Sequence, residues 1–146
     1  MAIFISMLGP LDEKEKRMSL TVSPTLLEKA QAGKMQQQDF LACIKDSLPY
    51  AWSLIEGLAG RLTQSTASFV DNQVPPPDEK ARGQLLRVLA SDAMRAAIEE
   101  HFGVKLAFQN CHRVALFRKD QLDQVYEDFI SPQSQILNQK PELVDC

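Results

Sequence analysis

Few residues in this chain are of types that do chemistry on their own. There are three cysteines, Cys43, Cys111 and Cys146, and two histidines, His101 and His112. Cys111 and His112 stand side by side in the run LAFQNCHRVALF, residues 106–117. A cysteine nucleophile needs a base within hydrogen-bond reach. Adjacent residues of an extended chain point to opposite faces, which disfavours a self-contained Cys–His dyad. A soft or borderline metal is the other chemistry open to these types. His101, Cys111 and His112, with Cys43 as a further ligand, would have to converge in space to hold it. No C-x-x-C, H-E-x-x-H or H-x-E spacing fixes two ligands on one element. The competing reading is packing and turn, because free cysteines commonly behave as small apolar residues.

Other catalytic patterns are missing. The chain has no G-x-G-x-x-G, no G-x-x-x-x-G-K-S/T and no G-x-S-x-G. The paired acids Glu99-Glu100 and Glu127-Asp128 occupy neighbouring helix positions, which face different ways. The sequence therefore favours a protein that is not an enzyme, and no cofactor is predicted. Cys146 stands outside a C-a-a-X arrangement, so prenylation is not expected.

Charge narrows the partners. Sixteen Lys and Arg against nineteen Asp and Glu give a net charge of −3, which argues against duplex nucleic acid. The distribution is uneven. Lys105, Arg113, Arg118 and Lys119 lie in a stretch without acids, whereas residues 120–146 hold six acids against Lys140 alone. One reading is internal complementarity between a basic hairpin and an acidic helix. The other is a basic patch, Arg113, Arg118 and Lys119, for an anionic partner such as phosphate or single-stranded nucleic acid.

The elements that must position these residues can be read from caps and periodicity. Ser23-Pro24 starts a helix that Gly33 stops. Asp39 is expected to cap a second helix, and Ser47 a third that begins at Pro49. In that third helix, about 49–63, Ala51, Leu54, Ile55, Leu58 and Leu62 form an apolar face. Ser53, Gly57 and Gly60 fall on the other side, where two glycines cost roughly 1 kcal/mol each relative to Ala. Close approach of another helix backbone would offset that; core packing alone is the plainer alternative. Trp52 sits at the edge of the apolar face, as a rim residue or a partner contact.

The prolines of NQVPPPD, residues 72–78, make a connector. Asp78 caps the longest helical stretch, which runs to Gly103 and is expected to kink or restart at Ser91-Asp92. VKLAF and RVALF then alternate as a β-hairpin at about 104–117. Leu122, Val125, Tyr126, Phe129 and Ile130 share one face of a closing amphipathic helix. Residues 1–17 read as a disordered extension, with docking of Ile3, Phe4, Ile5 and Leu8 on the body as the alternative.

The stretches RGQLLRVLASDAMRAAIEEHFGVKLAFQNCHRVALF and QDFLACIKDSLPYAWSLIEGLAGRL resemble small conserved proteins of unknown function from cyanobacteria and plastids. The likeness covers roughly residues 19–130 and carries no motif of assigned chemistry. It implies a cyanobacterial cytosol or plastid stroma and a role linked to photosynthetic metabolism.

The expected fold is mainly α with a small β-hairpin (α+β), a single-domain multi-helix bundle over residues 18–146. An odd cysteine count and the lack of a run of roughly twenty apolar residues point to a reducing cytoplasm and to no membrane span. The expected function is a non-catalytic interaction or assembly-accessory role. It would bind another protein or a second copy of itself through Trp52, Ser53, Gly57 and Gly60 or through Arg113, Arg118 and Lys119. The alternative is a thiol- or metal-dependent site around His101, Cys111 and His112.

Overall fold

The computed structural model describes residues 19–72, 74–110 and 113–139. The architecture is α+β and mainly helical, with one small antiparallel sheet. The chain clusters into two compact units that divide after Ser47.

The first unit contributes α1 (Pro24–Gln31) and α2 (Gln37–Ser47). Ser23 caps α1 by accepting from the Leu26 amide at 3.1 Å, and Gly33 leaves the helix at φ +70°. Asp39 is inside α2 rather than at its cap. Its carboxylate reaches back to the Gln36 amide at 2.9 Å, half of a capping box. That amide, and then Lys29 beside it, hold the Asp39 carboxyl below its ordinary value.

The second unit opens with α3 (Pro49–Thr63), which buries Ala51, Trp52, Ile55, Leu58 and Leu62. Ser47 does not cap it; its hydroxyl accepts from the Thr21 amide instead. The cap comes from far along the chain. The buried Gln84 accepts from the Tyr50 and Ala51 amides at 2.7 and 3.2 Å, satisfying two free donors of the helix start.

Beyond α3 come β1 (Phe69–Asp71), α4 (Glu79–Ala90), α5 (Asp92–Phe102), β2 (Val104–Gln109) and β3 (Arg113–Arg118). Asp78 caps α4 by accepting from Ala81 at 2.8 Å. The expected break falls at Ser91, whose extended backbone ends α4 and whose hydroxyl caps α5. Gly103 closes α5 at φ +67°, in a left-handed conformation natural to glycine.

The hairpin is present and gains a strand. β3 lies between β2 and β1, antiparallel to both, with Leu106 opposite Leu116 and Phe69 opposite Phe117. Asn72 continues the β1 ladder past its end, its side-chain oxygen taking the Val114 amide at 2.8 Å. Val114, Ala115, Leu116 and Phe117 are all fully buried. Since neighbours on a strand face opposite ways, the centre of the sheet is covered on both sides. Helix α3 packs on β1 and β3, and α5 on β2.

A short 3-10 turn (Lys119–Gln121) leads to α6 (Gln124–Phe129) and α7 (Pro132–Leu137). Phe129 of α6 joins Ala107, Ala115 and Phe117 in an apolar cluster, with Phe69 and Tyr126 against it. The expected broad apolar face is not buried. Asp123 caps the helix late, α6 has only six residues, and Leu122, Val125 and Ile130 stay exposed.

Candidate functional site

The basic residues of the hairpin are largely spent on the fold. Arg118 donates through Nε to the Ala67 carbonyl at 3.0 Å. Its Nη2 donates to Leu62 at 2.6 Å and to Ser65. A cation there meets carbonyls at and just beyond the C-terminal end of α3 and ties the following loop to β3. Arg113 pairs through Nε with Asp71 on β1 at 2.7 Å and through Nη1 with the Gln109 side chain at 2.8 Å. Its guanidinium lies 4.7 Å from the Phe129 ring centre, a cation–π arrangement. Lys105 pairs with Glu99 at 3.5 Å, and the same carboxylate takes the Leu106 amide at 2.8 Å. Lys119 is exposed. Among the described residues the expected complementarity between basic hairpin and C-terminal acids is thus corrected: the carboxylates that pair with the hairpin are Asp71 and Glu99, while Glu142 and Asp145 lie outside the described residues.

The face of α3 divides cleanly. Trp52 is only 5% exposed and packs against the rings of His101 and Phe102 at 5.6 and 5.5 Å. Its Nε1 has no hydrogen-bond partner among the described residues, a cost of about 1–3 kcal/mol. Ser53, Gly57 and Gly60 are exposed, and a Cβ added at either glycine would meet nothing. No helix backbone of the described residues therefore approaches them, and core packing is what offsets their cost.

His101 is exposed at the end of α5. Cys43 is buried, its thiol 3.5 Å from the Thr21 carbonyl. Among the described residues no three His, Cys, Asp or Glu side chains come together as metal ligands. Cys111 and His112 lie outside the described residues, as do residues 1–17. None of the described helices is long and apolar enough to cross a membrane.

The remaining feature of note is a cleft of about 510 Å³ between α6 and α7. Val125, Phe129 and Leu137 give it apolar walls, with Arg113, Asp128 and Asn138 among its polar ones. Gln109 anchors it from the sheet, donating to the Phe129 carbonyl at 3.1 Å and to Ser134 Oγ at 2.8 Å. Asn110, at φ +61°, donates to the Asn138 carbonyl at 2.8 Å. The acidic bias of this region was visible in the sequence; the exposure of its apolar residues was not.

Fold and site together define a small α+β module whose polar side chains mostly serve its own architecture. Residues 18–146 match a family model that carries the KH label and is described as the NucS shadow ORF. The chain belongs to that family. This corrects the likeness to small proteins of cyanobacteria and plastids, since the match spans 18–146 in a different family. No curated protein and no solved structure matches.

Proposed function

We propose that this chain is a non-catalytic protein-interaction module. The observation that carries the reading is the row of large apolar side chains left outside at the C-terminal end. Val125 and Ile130 are 43% and 49% exposed, and Ile136 and Leu137 are 71% and 72% exposed. Two of them, Val125 and Leu137, line the cleft between α6 and α7 beside polar side chains, and exposed apolar residues of this kind favour a protein partner.

The KH label raises nucleic acid as the rival, because KH modules clamp four backbone nucleotides with a GXXG loop. The order strand–helix–helix–strand–strand, with the last strand between the other two, suits such a frame. The turn between the two helices does not suit the clamp. It reads Ala90-Ser91-Asp92-Ala93, with no glycine. Ser91 Oγ is taken up by the Met94 amide, and Asp92 brings a negative charge, bonded to Arg95 at 2.7 Å. Arg113 and Arg118, the best phosphate ligands by sequence, are engaged internally. These features favour a frame used for protein contact.

Cross-linking mass spectrometry of the full chain in its own cells tests the reading. Cross-links to one protein partner that survive nuclease treatment are expected. Recovery of nucleic acid, with every protein cross-link lost on nuclease treatment, would contradict it.

A further inference from the structure

We infer that Glu99 guards the outer edge of β2 and so keeps two copies of this chain from joining their sheets.

The direction of each backbone group on the hairpin follows from its bonds. Val114 bonds Asn72 through both its amide and its carbonyl, and the Arg118 amide donates to the Ser68 carbonyl, so these residues of β3 face β1. Alternation turns Arg113, Ala115 and Phe117 towards β2, where they stand opposite Gln109, Ala107 and Lys105. The amides and carbonyls of Val104, Leu106 and Phe108 therefore point away from the sheet, of which β2 is an edge strand.

The composition of that edge favours pairing. VKLAFQ carries one charge, no proline and no glycine, and its Val, Leu and Phe suit an extended chain. Two copies related by a twofold axis would run antiparallel here, each Leu106 opposite its counterpart and Val104 of one opposite Phe108 of the other. The Leu106 amide is the centre of that register, and Glu99 already holds it. Glu99 Oε2 accepts from the amide at 2.8 Å, and Lys105 Nζ steadies the same oxygen from 3.5 Å. Pairing would have to break this bond in both copies and bring two carboxylates together at the axis. The outward amide and carbonyl of Phe108, by contrast, bond no described residue. One charged side chain at the middle position thus closes the strand. The opposite edge needs less. β1 has three residues, and its Asp71 carbonyl accepts from Arg61 Nη1 at 3.3 Å.

Sedimentation velocity of the full chain over a concentration series is the test. Glu99→Ala should self-associate at least about tenfold more strongly than wild type, because it opens the edge and leaves the Leu106 amide without an acceptor. Glu99→Gln keeps an acceptor oxygen and should stay close to wild type. In a half-labelled Glu99→Ala dimer, isotope-filtered NOEs should join Val104 of one copy to Phe108 of the other. Should Glu99→Ala not fold by circular dichroism, Glu99→Asp replaces it. Its carboxylate is one methylene short of the amide, and stronger association than wild type is again expected.

An opened variant that associates no more than wild type overturns the inference. So does Glu99→Gln that associates as strongly as Glu99→Ala. A dimer whose NOEs fall on another surface, such as the exposed side chains of α6 and α7, overturns it too. A wild-type dimer showing the Val104–Phe108 NOEs would mean that the edge is already in use and Glu99 guards nothing.

Discussion

Helices α3 and α6 carry apolar faces of nearly the same regularity and meet opposite fates. In α3, Ala51, Ile55, Leu58 and Leu62 are buried, and Trp52 goes with them. In α6 and its flanks only Phe129 is buried, while Leu122, Val125 and Ile130 remain outside. Length and surroundings account for the difference. The fifteen residues of α3 pack on α4, β1 and β3, whereas the six of α6 present one and a half turns to the sheet. Periodicity reports which side of a helix is apolar; it does not report whether the fold supplies a cover.

That contrast can be broken or sharpened by substitution. Phe117 is fully buried, stacked on Phe69 at 4.7 Å and met edge-on by Tyr126 and Phe129. Phe117→Ala should cost about 3–5 kcal/mol in denaturant unfolding. Ile55→Ala, on the covered face of α3, should cost about 2–5 kcal/mol. Gln84→Ala should cost about 1–3 kcal/mol by leaving the buried Ala51 amide and the half-buried Tyr50 amide at the start of α3 unpaired. Val125→Ala should stay within about 0.5 kcal/mol. A loss at Val125 equal to that at Ile55 would show that α6 is covered after all.

The smallest expected effect is alkaline. Burial, and then the Asp78 charge, raise the Tyr50 hydroxyl above its ordinary value. The unfolded chain then loses that proton first, so stability is intact below about pH 10 and declines as pH rises through the folded value. Tyr50→Phe should remove this decline in a pH series of melting temperatures. A wild-type profile unchanged by the substitution would show that Tyr50 contributes nothing there.

What the sequence made legible was local. Ser23 and Asp78 cap the helices expected of them, Ser91 breaks the long stretch, and Gly103 ends it. Each acts within about four residues, where neighbouring side chains decide the outcome. The distant partners could not be read. Gln84 reaches α3 across 34 residues, Asn72 meets Val114 across 42, and Arg118 meets Leu62 across 56. Strand β1, three residues long, offers too short a pattern to register. The site followed the same division. The basic hairpin stood out as a run of unpaired charge, but its partners Asp71 and Glu99 come from other elements. The cleft needed knowledge of exposure, which spacing alone does not supply.

The most direct measurement is a ¹H–¹⁵N NMR titration of the full chain with the protein partner that cross-linking recovers. Shifts are expected to concentrate at residues 122–138, with those of Arg113, Arg118 and Gly57 nearly still. Shifts centred on the basic hairpin or on the exposed side of α3, with 122–138 unmoved, would contradict the interaction reading.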